Sequence, residues 1–128
     1  MNTRTAVVVA VSALLCAVTA GAQAPGITRT VLQKGDVTTD REVIMARAEI
    51  AAGSESGRHT HFGPETGYVL EGSSEIQVDG QPTKVYKAGD SYFIPEGTIH
   101  NAKAIGGTAK VLAVYVVEKG KPLATPAK

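Results

Sequence analysis

The sequence predicts an all-β fold, an antiparallel sandwich or barrel in a single domain. Two observations carry this prediction. Short apolar stretches alternate with turns rich in glycine, and the 128-residue chain contains 14 glycines. Beyond the first 22 residues, the sequence lacks the 3.6-residue period of amphipathic helices. The remaining residues suffice for one domain with one modest core.

The first element, residues 1–22, has the composition of a cleaved secretory signal peptide. Arg4 precedes an apolar run over residues 6–20, and a small-residue exit ends at Ala22. The run is shorter than the roughly 20 apolar residues that a membrane-spanning helix needs. We therefore expect cleavage after Ala22 and a mature domain of residues 23–128. The expected location is periplasmic or secreted, without membrane association after cleavage.

The mature domain is expected to be electrically neutral. Cleavage removes Arg4 and the single cysteine, Cys16, so that twelve basic residues remain against twelve acidic ones. A neutral domain has no electrostatic basis for binding nucleic acid or an anionic membrane. The expected partner is therefore a small-molecule substrate or ligand.

Eight segments of the mature domain have the alternation or the apolar composition of a β-strand. They are residues 27–34, 43–51, 66–71, 75–78, 83–86, 91–94, 98–104 and 110–117. Asp79 and Gly80, between the fourth and fifth segments, favour a tight hairpin turn. Residues 23–26 and 120–128 are expected to be loose ends.

The three histidines and one nearby carboxylate predict a metal site. The predicted ligands are His59, His61, Glu65 and His100. His59 and His61 are two apart on an extended segment, so both rings project to the same side. Glu65 keeps this parity if the strand continues through residues 63–64, and His100 arrives from a neighbouring strand. Imidazole and carboxylate suit one divalent transition metal ion (Fe, Mn, Zn, Ni or Cu) with up to two open positions.

A closed structural zinc site is the alternative to an open metal site. Such sites hold zinc by four protein ligands and often use cysteine, which the mature chain lacks. The open site is therefore favoured.

The frame around these ligands resembles the two signature motifs of the cupins. The first motif is carried by Gly53, His59, His61, Glu65 and Gly72, and the second by Gly89, Pro95, Gly97 and His100. The motifs and the gap between them cover residues 53–104. The resemblance implies an antiparallel cupin (jelly-roll) β-barrel with the glycines as turn-formers. Similar small cupins commonly dimerise, so the resemblance also implies a homodimer.

The second motif contains one departure. Ala104 stands where cupins usually have an asparagine, and Asn101 lies nearby at a different position. Because that asparagine is not a metal ligand in the family, the departure concerns local support of the turn.

The resemblance implies a metal-dependent enzyme acting on a small organic molecule. Oxidative cleavage of the dioxygenase type is the first reaction class, with Glu65 relaying a proton as well as binding the metal. A lyase or isomerase with the same ligands is a close second. A non-catalytic protein that binds a small ligand or a metal is the alternative from another class, and the sequence does not decide between enzyme and binding protein.

Few side chains are predicted to line the pocket. The aromatic candidates are Phe62, Tyr68, Tyr86, Tyr92 and Phe93. Arg47 would bind a substrate carboxylate if its strand face pointed inward. Glu55 and Arg58, which flank the first motif, are expected to be solvated.

Overall fold

The computed structural model describes residues 24–128, so the predicted signal peptide at residues 1–22 lies outside the described residues. The described chain forms ten β-strands and no helix. Accordingly, it has no helix long and apolar enough to cross a membrane. The strands are β1 (Ile27–Asp36), β2 (Arg41–Ile50), β3 (His59–Thr60), β4 (Glu65–Glu71), β5 (Ser73–Val78), β6 (Lys84–Lys87), β7 (Ser91–Ile94), β8 (His100–Ala104), β9 (Ala109–Glu118) and β10 (Thr125–Pro126).

The strands form two five-stranded sheets. Sheet A has the order β1-β2-β9-β4-β7, and sheet B has the order β10-β3-β8-β5-β6. The strand pairs within them are antiparallel. The predicted all-β antiparallel fold is therefore confirmed. The eight predicted strands correspond to β1, β2 and β4–β9, while β3 and β10 are additional.

Alternation of buried and half-buried residues along β2 and β9, two neighbouring strands of sheet A, places the core between the sheets. In β9 every second residue, from Ala109 to Val117, is buried, and the residues between them are half-buried. In β2 the buried residues include Ile44, Ala46 and Ile50, which lie on one face of the strand. A sheet with one face on the core and one toward solvent requires this two-residue period.

Arg47 consequently lies on the outer face, where its Nε is 3.0 Å from Oε1 of Glu49. The expectation that Arg47 binds substrate is therefore not supported.

Glycine turns join the short strands. Gly53, Gly72, Gly89 and Gly97 all have positive φ angles, which confirms their predicted role as turn-formers. At Gly72 there is a second constraint, because a Cβ there would overlap the carbonyl oxygen of Thr108.

The carboxyl-terminal segment is not the loose end that the sequence predicts. Thr125 and Pro126 pair with Thr60 and His59 of β3, and the N–H of Ala127 donates to the carbonyl of Arg58 at 2.9 Å. The prediction failed because a two-residue strand has too little sequence to show a period. Its pairing depends on where β3 lies.

Candidate metal centre

The two sheets each contribute to the predicted ligand set. His59 in β3 and His100 in β8 are direct register partners in sheet B, as predicted for neighbouring strands. His61 follows β3 immediately, and Glu65 is the first residue of β4 in sheet A. The crossover between the sheets passes through Gly63, where a Cβ would overlap the carbonyl of Val116. The strand therefore ends between His61 and Glu65, and the carboxylate approaches the imidazoles from the opposite sheet.

The four side chains form one buried cluster. Their exposed fractions lie between 3% and 6%. One ligand atom from each residue lies within 4.8 Å of the others, so the four can hold a single metal ion. The structure thus brings together all four residues that the sequence predicts as ligands.

Backbone carbonyls orient the three imidazoles. Nδ1 of His59 lies 2.8 Å from the carbonyl oxygen of Gly57, and Nδ1 of His100 lies 2.9 Å from that of Thr98. Nδ1 of His61 contacts the carbonyl of Leu123. A carbonyl oxygen can only accept, so each Nδ1 carries the hydrogen and each Nε2 keeps a lone pair for a metal. Such partners fix the tautomer and the ring orientation of metal-binding histidines.

The inward-facing nitrogens fit a cation. Nε2 of His61 is 2.9 Å and Nε2 of His100 is 3.3 Å from Oε2 of Glu65. Both nitrogens are buried, and neither makes a hydrogen bond to any of the described residues. Lone pairs that converge in a buried site are favourable when a positive charge lies between them. The donor set therefore fits a divalent transition metal.

The ionisation of the ligands also suits metal binding. Burial and the neighbouring His100 lower the pKa of His59 to about 4. Burial alone would raise the pKa of Glu65, but the adjacent His100 and His61 outweigh it and hold this pKa well below its usual value. At neutral pH, His59 is a neutral imidazole and Glu65 a carboxylate, the forms that bind metals.

Tyr92 on β7 holds the second oxygen of Glu65. Its hydroxyl donates to Oε1 at 2.8 Å, so Oε2 is the oxygen that faces the histidines. Burial and the Glu65 charge raise the pKa of Tyr92 well above its usual range, which keeps the hydroxyl protonated. The ring fits because residue 67 is glycine: a Cβ there would overlap the ring.

A small cavity lies beside the cluster. Its volume is about 30 Å³. His59, Glu65 and His100 border it, but His61 does not. The polar groups around it are Arg29, Ser56, Tyr92 and Tyr115, among mainly aliphatic side chains. A second cavity of about 200 Å³ shares Arg29, Ser56 and His59 with the first.

Sequence reasoning missed three of the polar residues that border the cavity, Ser56 and two that lie on long strands. Arg29 lies two residues from buried Ile27 on β1, and Tyr115 alternates with buried Ala113 and Val117 on β9. Both could have been found from strand parity. Burial and the Glu65 charge raise the pKa of Tyr115, while Arg29 opposes this rise.

The five aromatic candidates separate into different environments. Tyr92 borders the cavity, whereas the Tyr86 ring packs edge-on against Tyr92 with centroids 5.5 Å apart. Tyr68 and Phe93 are 47% and 62% exposed. The Phe62 ring lies beneath the ammonium of Lys121.

The first-motif flank is exposed but not free of contacts. Arg58 makes two hydrogen bonds of 2.9 Å to Asp79, and Glu55 accepts a 2.8 Å hydrogen bond from Asn101. Asn101, which the sequence analysis placed only near the missing asparagine, is buried. Ala104, at the position of that asparagine, packs in a core cluster with Ile27.

Comparison with known proteins agrees with this geometry. A family model described as "Cupin domain" matches residues 46–116, which is more than half of the chain. A curated relative, dimethylsulfoniopropionate lyase DddW of Ruegeria pomeroyi, is 32% identical over 73 residues, covering 57% of this chain and 47% of the relative. The chain thus spans about half the length of that relative.

Solved structures share the fold. The dimethylsulfoniopropionate (DMSP) lyase DddQ from Ruegeria pomeroyi superposes with a TM-score of 0.68 at 18% identity, covering 79% of this chain and 51% of that one. The polyketide cyclase RemF from Streptomyces resistomycificus gives 0.65 at 25% identity, covering 81% and 72%. KdgF from a Halomonas species gives 0.60 at 24% identity, covering 73% and 82%.

Proposed function

This chain belongs to the cupin domain family, and on that premise we propose that it is a metal-dependent lyase acting on a small organic acid. His59, His61, Glu65 and His100 would hold one divalent transition metal ion. The observation that carries the proposal is the convergence of two buried Nε2 atoms on one oxygen of Glu65. The bound ion would act as a Lewis acid on a substrate carboxylate.

The position of the cavity supports an enzyme over a closed structural site. Three of the four ligands border it, so a small molecule can approach the ion from that side. Apolar walls with a few polar groups are typical of small-molecule sites. The limited volume favours a substrate of only a few heavy atoms, placed partly in the second cavity that begins at Arg29 and Ser56.

Arg29 supports an acidic substrate. It borders both cavities, and its positive charge acts on the pKa of His59, Tyr92 and Tyr115. Guanidinium groups bind carboxylates with two parallel hydrogen bonds. We therefore assign carboxylate recognition to Arg29 in place of Arg47.

Proton transfer is assigned to Glu65 together with Tyr92. Glu65 is the one carboxylate among the described residues that border the smaller cavity, and the Tyr92 hydroxyl links its Oε1 to the cavity wall. In an elimination, a proton leaves the carbon next to the substrate carboxylate, its electron pair forms the double bond, and the leaving group departs with its own electron pair. Glu65 would accept that proton, and the Tyr92 hydroxyl, which stays protonated, would hold the carboxylate in position.

The curated relative supports the lyase class. The 73-residue match to a lyase shows greater identity than the fold-level similarities and sets lyase chemistry ahead of the oxidative cleavage that the motifs alone imply first. Oxidative cleavage stays the second candidate, because the same three imidazoles and carboxylate are also suited to redox-active metals.

The decisive experiment combines metal analysis with turnover. Protein purified from its own periplasm, without chelators or nickel resin, is expected to contain one equivalent of a transition metal, and His59→Ala/His61→Ala protein none. Turnover of small carboxylates, with dimethylsulfoniopropionate as the first trial compound, is then followed with and without oxygen. Anaerobic formation of an unsaturated acid supports the lyase. Oxygen-dependent turnover supports oxidative cleavage, and metal binding without turnover supports a binding protein.

Export and dimerisation belong to the same proposal. Residues 1–22 would direct the chain to the periplasm, and sequencing of the exported protein is expected to begin at Gln23. An uncleaved amino terminus on cytoplasmic protein would contradict this.

The mature domain would form a homodimer through exposed apolar residues of sheet A.

A further inference from the structure

Residues 120–128, named here the carboxyl-terminal strap, fold back along the metal centre. Thr125 and Pro126 of β10 pair with β3, the strand that contains His59. The N–H of Ala127 donates to the Arg58 carbonyl at 2.9 Å, and Nε of Arg58 donates to the carbonyl of Lys128 at 3.3 Å. The strap is therefore attached to the residues that lead directly into the ligand-bearing segment.

Leu123 anchors the strap at its other end. Its side chain packs against a buried cluster that includes Ile44, Tyr115 and Val117. This packing brings the Leu123 carbonyl against Nδ1 of His61. The strap is thus held both by backbone pairing to β3 and by apolar packing against sheet A.

His61 differs from the other two histidines in the origin of its hydrogen-bond partner. The carbonyls that hold His59 and His100 belong to residues two positions earlier, so those contacts form whenever the local turn forms. The carbonyl that holds His61 lies 62 residues further along the chain. Its presence depends on the strap being in place.

We propose that the strap is a positioning element of the metal centre, in which the Leu123 carbonyl fixes the tautomer and the ring orientation of His61. This inference rests on the metal site of the proposed function. It makes metal affinity depend on a segment outside both sequence motifs. The strap also borders the larger cavity through Ala124 and Pro126, beside His59, so its release would open the site from that side.

The test compares metal affinity in strap variants of the mature protein. One variant ends at Lys119, and a second carries Leu123→Ala, which removes the apolar anchor. The control is Leu112→Ala, a half-buried leucine on the outer face of β9. Affinity for Co²⁺ and Zn²⁺ is measured by competition with a chromophoric chelator. We expect about 10- to 100-fold weaker binding on truncation, a smaller loss for Leu123→Ala, and about unchanged binding for the control.

A second readout separates positioning from general stability. In ¹⁵N-labelled, metal-free protein, the imidazole shifts of His61 should report the Nδ1–H tautomer in the full chain and a mixture of tautomers in the strap variants. His59 and His100, whose carbonyl partners are local, should keep the Nδ1–H tautomer in every variant. If the truncated chain does not fold, two point variants decide the question. They are Leu123→Ala and Ala127→Pro, the second of which removes the N–H donor to the Arg58 carbonyl.

Folded strap variants that bind Co²⁺ as tightly as the full chain would overturn the proposal. A full chain that binds neither metal would instead reject the proposed function. The tautomer of metal-free His61 still tests the strap in that case, so the two failures are distinguishable.

Discussion

At the scale of single residues, the contact between Tyr92 and Glu65 sets which carboxylate oxygen faces the histidines. Tyr92→Phe leaves Oε1 buried without its 2.8 Å donor and frees the carboxylate to rotate. We expect a stability loss of about 1–3 kcal/mol, the usual effect of leaving a buried polar group unpaired. We also expect metal affinity to fall about 10- to 100-fold, measured by chelator competition.

Tyr86→Phe is the matched control for Tyr92→Phe. The Tyr86 ring packs against Tyr92, but the hydrogen bond to Oε1 of Glu65 comes from the Tyr92 hydroxyl. The control should bind metal as the parent does. Equal affinities for both variants would show that the hydroxyl does not position Glu65.

His59 predicts a pH dependence of the metal-free protein. Its pKa is about 4 in the folded chain, against the usual 6.5, so between these values the unfolded chain binds more protons. Stability therefore rises with pH across this window and is lost as pH falls through it, by up to about 3 kcal/mol from this group. Chemical unfolding of chelator-treated protein, from about pH 7.5 down to about pH 4.5, measures the loss.

The control for this prediction is His59→Gln, which cannot titrate. Its stability should vary less over the same pH range than that of the parent. An equal pH dependence in both proteins would assign the effect to other groups.

At the scale of elements, Asn101 connects β8 to the loop before β3. Its Nδ2 donates to Glu55 at 2.8 Å, and Ser56 donates to its Oδ1 at 3.2 Å. Ser56 Oγ in turn accepts the N–H of Ala102. The next residue, Gly57, provides the carbonyl that orients His59. Asn101 thereby supports the ligand loop from a position other than that of the usual cupin asparagine.

Asn101→Ala is expected to destabilise the protein by about 1–3 kcal/mol, because buried polar groups lose their partners. It should also weaken metal binding by loosening the loop at residues 55–57. Gln77→Ala is the control, since Gln77 is the exposed register partner of Asn101 on β5. A loss of stability with unchanged metal affinity would limit Asn101 to a purely structural role.

The elements that the sequence could predict are those long enough to show a period. Alternation located β2 and a long apolar run located β9, each to within two residues, although parity left open which face of β2 is buried. β3 and β10 have two residues each, so they are defined by their partners. The carbonyls that orient the histidines are backbone groups, which leave no mark on residue identity. The four ligands were predictable because their chemistry is specific to their side chains.

At the scale of the whole molecule, the cavity could not be assembled from local patterns. Its walls come from strands far apart in sequence, such as β1 with Arg29 and β9 with Tyr115. Strand parity can place each residue on an inner face, but only the sheet order shows which inner faces meet over the metal centre. The motifs located the four candidate ligands, whereas the polar groups that would meet a substrate required the folded structure.

The outer surface of sheet A carries the prediction for assembly. Tyr68 and Leu70 on β4 and Phe93 on β7 are 47%, 41% and 62% exposed, and Phe93 is paired in register with Thr66 of β4. Neighbouring exposed apolar side chains on a sheet favour association.

We expect the mature protein to be a dimer by light scattering, and Phe93→Lys to shift it toward monomer by placing a charge in the contact. Val85→Lys, at a similarly exposed valine on β6 in sheet B, should leave the dimer intact. Because the metal ligands are buried on the inner side of both sheets, Phe93→Lys protein should still bind metal. A parent protein that is monomeric at micromolar concentration would show that this surface stays exposed.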